Sequence, residues 1–403
     1  MDTYLVGGAV RDALLGLPVG ERDWVVVGST PEAMSEQGFR PVGKGFPVFL
    51  HPETNEEYAL ARTERKSGRG HQGFTFHTDP SVTLEEDLSR RDLTVNAIAQ
   101  RDDGTLVDPY GGAADIEARI LRHVSDAFDE DPLRVLRVAR FAARFAGQGF
   151  RIADETMARM RAMAASGELQ MLPAERIWQE LQRALCTDSP QVFIQVLRDC
   201  GALAALLPEV DALFGVPQPE QYHPEIDTGI HTLMCLEQAV RLSQEPEVRY
   251  AVLAHDLGKG ITPARELPSH KGHEAAGVPL VEAVNERLKV PRSYAEVATV
   301  TCREHVNLHR ADIARPGTLV DLLTRCDALR RPERFDQILT ACHADLRGRT
   351  GFEDIAYPQG DRLRAALAAM RAVDLAAITM EGGDIGALVR EARIAAVAAA
   401  EQA

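Results

Sequence analysis

The residue pattern changes character once, near residue 131, and that change limits the folds open to this 403-residue chain. Before it, short apolar runs alternate with helix signals; after it, alanine, leucine and arginine dominate and β-branched runs thin out. The early runs lie at 4–6, 23–27 (Asp-Trp-Val-Val-Val), 47–50 and 58–61, each of strand length. A helix is expected after Gly7-Gly8. Another is expected at Ser29-Thr30-Pro31-Glu32, with Ser29 as hydroxyl cap, proline in the first turn and glutamate three residues past the cap. Residues 67–73 hold three glycines and read as a mobile loop. The pattern predicts an α/β head over 1–125, built on a small mixed sheet with helices, and an all-α remainder. Four prolines between 208 and 224 read as a linker or ordered loop. They divide the remainder into a helical neck and body (126–224), a second all-α domain (225–330) and a C-terminal helical region (331–403).

Sixty acidic against 45 basic residues give a net charge of −15, which excludes a uniformly basic nucleic-acid binder. Two basic islands remain. Residues 133–151 hold five arginines and no acid, and residues 62–70 hold Arg62, Arg65, Lys66 and Arg69 against Glu64. No run approaches the ~20 apolar residues of a membrane span. The first residues lack the basic stretch of a signal peptide. Six cysteines without a C-x-x-C pair fit a reduced, cytoplasmic chain.

Gly7-Gly8-Ala9-Val10-Arg11-Asp12 lies between a strand and a helix, where glycines let backbone N–H groups approach phosphate and Arg11 can clamp a phosphate oxygen. Glu21 and Asp23 are two residues apart at the start of a strand, so both carboxylates face one side. Hard oxygens gathered this way suit Mg²⁺, which activates an attacking hydroxyl and stabilises a leaving pyrophosphate. Glu57, at the head of another strand, is a candidate third carboxylate. In the segment 85–97, Arg91 can meet nucleotide phosphates, with Asp92 holding that arginine in place. A helix is expected to open at Glu130-Asp131-Pro132, with its acids in the first turn. On it Arg134, Arg137, Arg140 and Arg144 share an arc of roughly 120°, opposite Leu136, Ala139 and Ala143, and such a stripe needs anions to face.

Farther on, His231 precedes His255-Asp256, which follows an apolar run and is itself followed by Leu257-Gly258-Lys259-Gly260; Asp327 completes a set of imidazole and carboxylate donors. Such donors on separate helices suit a divalent transition metal whose bound water becomes a nucleophile. His270, His273 and His305 are further candidate ligands or substrate contacts.

Together the segments YLVGGAVRDALLG (4–16), ERDWVVVG (21–28), RRDLTVNAIA (90–99), DPYGG (108–112) and EDPLRVLRVARFAARF (130–145) resemble the class II tRNA nucleotidyltransferases. These are the CCA-adding enzymes and their poly(A) polymerase relatives. With the His-Asp region, the chain is most similar to the bacterial multifunctional kind that carries an HD domain. The resemblance implies a nucleotidyltransferase head and an HD phosphohydrolase domain. It implies CTP, ATP and the tRNA 3′ end as partners, with no membrane and a monomer or homodimer. It also implies nucleotide contacts by Gly8, Arg11, Arg91, Arg137 and Arg140, and catalytic Mg²⁺ ligation by Glu21 and Asp23, where many relatives carry Asp-x-Asp. Base reading falls to Asp131 and Arg134. Cytosine and adenine each present an amine donor beside a ring-nitrogen acceptor, so a carboxylate next to a guanidinium pairs with them and conflicts with uracil and guanine.

For the HD set the resemblance implies metal-dependent phosphatase and 2′,3′-cyclic phosphodiesterase activity, with Ni²⁺ a candidate for the site formed by His231, His255, Asp256 and Asp327. The alternatives are a poly(A) polymerase, or an HD phosphohydrolase with an inactive, RNA-binding head.

Overall fold

The computed structural model describes residues 1–42, 48–66, 74–77, 79–376 and 384–402; the expected loop at 67–73 and the first residue of the expected strand at 47–50 lie outside them. The chain forms two compact units, one of Met1–Leu181 with Val192–Leu206, the other of Gln182–Gln191 with Leu207–Ala403.

The first unit begins with the mixed sheet. Its strands are β1 (Asp2–Val6), β2 (Asp23–Val27), β3 (Arg40–Val42), β4 (Val48–Leu50) and β5 (Glu57–Leu60); β6 (Thr63–Lys66) and β7 (Phe74–His77) form a separate antiparallel pair, and β8 (Ala99–Gln100) and β9 (Leu106–Val107) rejoin the sheet. The spatial order is β3-β4-β5-β2-β1-β8-β9, with only the β2–β5 pair parallel. Strand alternation splits the core over two faces. Val25 joins Tyr4, Val6, Leu88 and Ala97 on one side, while its neighbour Val26 joins Met34, Phe49, Tyr58 and Leu60 on the other. In the parallel pair Trp24 stands beside Tyr58, and their rings stack at 5.4 Å. The same register sets Asp23 beside Glu57, which is why the last of the expected strands starts one residue early.

Helices α1 (Gly8–Leu14), α2 (Pro31–Glu36), α3 (Leu84–Ser89), α4 (Gly112–Ala118), α5 (Leu133–Phe145) and α6 (Asp154–Ala165) follow in this unit, with most of α7 (Ala174–Leu185) and α8 (Pro190–Asp199) and all of α9 (Ala202–Leu206). Two helix starts differ from expectation. The cap of α2 is Thr30, not Ser29: the Thr30 hydroxyl accepts from Ala33 N, which shifts the cap one residue and leaves Glu32 in the first turn. The acids before α5 lie outside its first turn, because residues Asp126–Glu130 form a 3₁₀ turn of their own and Pro132 precedes the first helical residue.

The second unit is helical: α10 (Pro208–Asp211), α11 (Thr228–Leu242), α12 (Pro246–Ala254), α13 (His273–Arg287), α14 (Arg292–His309), α15 (Pro316–Arg325), α16 (Pro332–Arg347), α17 (Pro358–Arg371) and α18 (Ile385–Ala400). The proline-rich stretch before α11 is ordered, with Gln218 N donating to Ile226 O at 2.7 Å and Thr228 N to Val216 O at 3.0 Å. Arg249 is buried and donates to the carbonyls of Leu185, Thr187 and Ser243, satisfying three chain ends that no helix ladder uses. No helix among the described residues is long and apolar enough to cross a membrane.

Candidate active sites

In the first unit a cleft of about 620 Å³ is lined by Gly8, Arg11, Glu21, Asp23, Arg91, Asp131, Arg134, Arg137 and Arg140, together with Arg62, Asp87, Arg90, Asp92, Asn96, Arg144 and Arg176. All nine residues that sequence reasoning assigned to nucleotide or metal in this half meet there. Strand β2 delivers Asp23 to the cleft mouth, with Val25 on the same face. Glu21 precedes β2, so strand alternation does not place it, yet it reaches the same cleft. Burial raises the Asp23 carboxyl above its ordinary range; Arg91 opposes the rise and Glu21 adds to it. Asp23 and Glu21 therefore feel each other's charge, the condition a divalent cation relieves. Among the described residues Glu21, Asp23 and Glu57 do not form a three-ligand group within 4.8 Å.

Gly7, at the head of α1, has φ +67, and a Cβ there would stand 2.9 Å from Arg91 Nη1. Arg91 donates to Asn96 O and pairs with Asp87 at 3.4 Å. Asp92 does not hold Arg91, as the sequence suggested. It takes Arg137 Nε at 2.7 Å and the Asn96 amide at 2.9 Å, because α5 carries Arg137 across it. Burial alone would raise the Asp92 carboxyl, but Arg137 and Asn96 hold it well below the usual carboxylate range. Arg11 is 2% exposed, and its guanidinium is shared by Asp12 and Asn96 over the rings of Phe141 and Phe145. It forms part of the wall and aligns Asp12, which also takes Arg144 at 2.9 Å. Arg140 lies on the Phe141 ring at 4.3 Å and pairs with buried Glu180. Arg137, Arg140 and Arg144 of α5 thus each pair with a carboxylate while lining the cleft. Arg144, expected from the arginine stripe, also lines the cleft, as do Asp87, Asn96 and Arg176, to which the sequence had assigned no role.

Asp131 accepts from Leu133 N through Oδ1 and from Arg176 through Oδ2 at 3.1 Å. Arg134 is braced by the carbonyls of Ala127 (2.6 Å) and Arg90 (2.5 Å), one on each terminal nitrogen. Each of those nitrogens keeps a second N–H.

In the second unit His231 of α11, His255 and Asp256 at the end of α12, and Asp345 of α16 converge. His231 Nε2 is 3.0 Å from Asp345 Oδ1, His255 Nε2 is 3.1 Å from Asp256 Oδ2 and 3.9 Å from Asp345 Oδ1. His231 Nδ1 faces Glu225 at 2.9 Å, and His255 Nδ1 donates to Val252 O at 2.7 Å, which turns the Nε2 lone pair of His255 inward. Burial would raise both Asp256 and Asp345, but the histidines around them, with Lys259 at 2.7 Å from Asp256, hold both well below the ordinary range. His255 Nε2 and both Asp256 oxygens are buried, and their polar neighbours are Lys259 and the ring nitrogens of the same cluster. Such a donor set fits a divalent metal better than it fits a dry core.

Asp327 does not take part. It sits at φ +54 in the turn after α15 and faces Arg330, Arg331 and Arg334, so three cations within seven residues claim its charge. Asp345 occupies the position expected of it, eighteen residues farther on. The Ala344-Asp345-Leu346 segment carries no His-Asp pair or glycine to mark it. His273 and His305 lie beside Asp256, whereas His270 turns away to Thr262 and the Pro217 carbonyl. Gly258 admits this packing: a Cβ there would be 2.0 Å from His273 O.

Three family models match the chain: "Poly A polymerase head domain" over residues 3–122, "Probable RNA and SrmB- binding site of polymerase A" over 149–214 and "HD domain" over 228–331. The chain is 60% identical to a multifunctional CCA protein of Thioalkalivibrio sulfidiphilus over 98% of both chains. It is 58% identical to the Pseudomonas aeruginosa protein of that name, over 99% of this chain and 98% of the relative. Among solved structures it is similar to the Bacillus stearothermophilus CCA-adding enzyme in complex with CTP, with 25% identity, a TM-score of 0.65, and coverage of 99% of this chain and 88% of that one.

Proposed function

Because the chain belongs to the multifunctional CCA protein family, we propose that it restores the 3′-terminal CCA of tRNA from CTP and ATP, and that its HD domain hydrolyses phosphoesters. The observation that carries the first activity is the convergence of Glu21, Asp23, Asp131 and the arginines of α5 on one cleft. In this reading the tRNA 3′-hydroxyl attacks the nucleotide α-phosphate in line and pyrophosphate leaves. Glu21 and Asp23 would hold Mg²⁺, which would supply charge neutralisation at the reacting phosphate and at the attacking hydroxyl. Arg91, Arg137 and Arg140, with Gly8, receive the triphosphate, and Arg11 keeps the wall in register. Asp131 accepts the exocyclic amine of cytosine or adenine, and the free N–H groups of Arg134 donate to the adjacent ring nitrogen. Uracil and guanine present a donor to the guanidinium and an acceptor to the carboxylate, so protein groups replace a nucleic-acid template.

For the second activity, His231, His255, Asp256 and Asp345 would hold a divalent transition metal such as Ni²⁺, which would supply a water-derived nucleophile. Lys259 Nζ lies 2.7 Å from Asp256 Oδ2 and donates to Gln218 Oε1 at 2.6 Å, which holds that carboxylate in place. Phosphatase and 2′,3′-cyclic phosphodiesterase activities follow from one nucleophile at such a centre. Free cysteines accord with a cytoplasmic setting. The deciding assay gives tRNA lacking its CCA end labelled CTP alone, then ATP. Cytidine addition with CTP alone and adenosine addition only afterwards are expected. Long adenosine tails from ATP alone would show a poly(A) polymerase, and no pyrophosphate release would show an inactive head.

A further inference from the structure

Arg144, the last arginine of α5, lines the transferase cleft. Its side chain is 41% exposed, the most open of the three α5 arginines that pair with a carboxylate. It spends one terminal nitrogen, Nη2, on Asp12 Oδ2 at 2.9 Å, and the Phe145 ring lies against its guanidinium. Its Nε and Nη1 donors have no acceptor among the described residues. Asp12 cannot balance this charge alone, because it also serves Arg11, whose Nε and Nη2 meet Oδ1 at 2.9 Å and 2.8 Å. One carboxylate between two guanidiniums leaves a positive charge over. Arg11 is sealed in the wall, so the surplus faces the cleft at Arg144. In the described lining nine arginines stand against five carboxylates, a balance that calls for a polyanion.

The place of Arg144 along α5 says which part of that anion it meets. Ten residues, ~15 Å of helix axis, separate it from Arg134. That is comparable to the reach of an extended nucleoside triphosphate from its base to its last phosphate. Arg144 also lies two turns past Arg137 on the same line of the helix. Its anchor, Asp12, is one turn along α1 from Gly8, and Arg11 Nη2 stands 3.5 Å from where a Gly8 Cβ would be. Arg134 therefore marks the base end of the cleft, and Arg144 the end beside the glycine pair.

We propose that Arg144 binds the terminal phosphate of the incoming nucleotide through Nε and Nη1, with Asp12 as the positioning residue that holds it there. The inference rests on the CCA-adding reading for its substrate. In that reaction the tRNA 3′-oxygen forms a bond to the α-phosphorus and the bond from that phosphorus to the bridging oxygen breaks. The electron pair leaves with pyrophosphate, and the hydroxyl proton passes to water. Charge accumulates on the leaving pyrophosphate, and a guanidinium fixed at its far end stabilises that charge. The same contact measures polyphosphate length: with the base at Asp131, a triphosphate reaches Arg144 and a diphosphate stops short.

The test measures equilibrium binding of CTP, CDP and CMP to the full-length protein in Mg²⁺ without tRNA, then steady-state addition to tRNA lacking its CCA end. Arg144→Gln should weaken CTP binding by about 10–150-fold, the range for a hydrogen bond between charged groups, and leave CDP and CMP unchanged. Inhibition by pyrophosphate should weaken by a like factor, with KM for tRNA at the wild-type value. Arg144→Lys keeps the charge without the planar fork and should recover part of the CTP affinity. Far-ultraviolet circular dichroism checks the fold. Should the glutamine variant unfold, the lysine variant decides, since its preference for CTP over CDP should fall below that of the wild type. An unchanged preference in a folded variant, or equal loss for all three nucleotides, would overturn the proposal and leave Arg144 a wall residue. A raised KM for tRNA with CTP binding intact would overturn it in favour of an RNA phosphate. A wild-type protein that binds CTP but adds nothing to tRNA would reject the CCA-adding reading, while the comparison of CTP with CDP would still decide Arg144.

Discussion

Arg137 lays its guanidinium on Asp92, 45 residues away in sequence, with both Nε and Nη2 at 2.7 Å from the same carboxylate oxygen. Asp92 is buried while Arg137 remains partly open to the cleft. The pair therefore does two things at once. It pins α5 against the segment that carries Arg91, and it keeps an anion-facing arginine fixed with its charge part-balanced from behind.

Asp92→Asn tests that pin. The folded-state pKa of Asp92 lies below its unfolded value of about 3.9. In acid the unfolded chain then binds more protons than the folded one. The stability this carboxylate contributes is present above about pH 4 and is lost as pH falls toward its folded pKa. The variant should lack that acid limb and be less stable near neutral pH by about 1–3 kcal/mol. Denaturant unfolding measured across this range checks it; parallel profiles for the two proteins would show that Asp92 has no depressed pKa.

Asp131→Ala removes the acceptor proposed for the exocyclic amine and frees Arg176 from its 3.1 Å contact. Use of CTP and ATP should weaken, and discrimination against UTP should fall by about 10–150-fold, the ~1.5–3 kcal/mol of one hydrogen bond to a charged group. Competition among the four nucleotides measures this. Unchanged relative use would mean that Asp131 does not read the base.

Separate carboxylate sets predict separable activities. Asp23→Ala should abolish nucleotide addition and spare phosphoester hydrolysis; His255→Ala should abolish hydrolysis and leave addition nearly unchanged. Equal loss of both activities in either folded variant would contradict the two-site arrangement. Failure of addition alone in the His255 variant would instead assign the HD domain a part in holding tRNA.

Asp345 and Asp327 make opposite predictions. Asp345→Asn should lower metal affinity by more than the ~10–100-fold lost with an outer partner of a ligand, and hydrolysis with it. Asp327→Asn should hydrolyse at the wild-type rate, since asparagine tolerates a positive φ and exposed ion pairs contribute only about 0–1 kcal/mol. Loss of hydrolysis in the Asp327 variant alone would return that residue to the site.

Metal removal supplies a fifth check. Chelator should stop hydrolysis, and a transition metal should restore it more readily than Mg²⁺, because imidazole favours softer ions than carboxylate alone does. Equal recovery with Mg²⁺ would contradict the histidine-rich ligand set.

The division of the chain into a mixed-sheet head and a helical remainder was legible in its residues, and so were the nine motif residues of the cleft. The signals behind both are local: strand-length apolar runs, a glycine pair before a helix, arginines recurring at helical spacing, a His-Asp pair after an apolar segment. Each fits in a window of a dozen residues, and steric and periodic rules act within such a window. What a given arginine faces is another matter. The local reading paired Asp92 with its neighbour Arg91, whereas it takes Arg137 from α5, and Arg11 read as a phosphate clamp although it is buried against Phe141 and Phe145.

Sequence alone determined the kinds of donor present and their order along the chain; tertiary structure decided which of them meet. Helical periodicity assigns a residue to a face, but the distance between two faces depends on how far each helix is rotated and slid in the packed bundle. The clustered donors His231, His255, Asp256 and Asp345 come from α11, the end of α12 and α16. Asp327 and Asp345 therefore look alike in sequence. Only packing turns Asp345 toward His231 and His255, while Asp327, in its left-handed turn, is neutralised by the arginines that follow it.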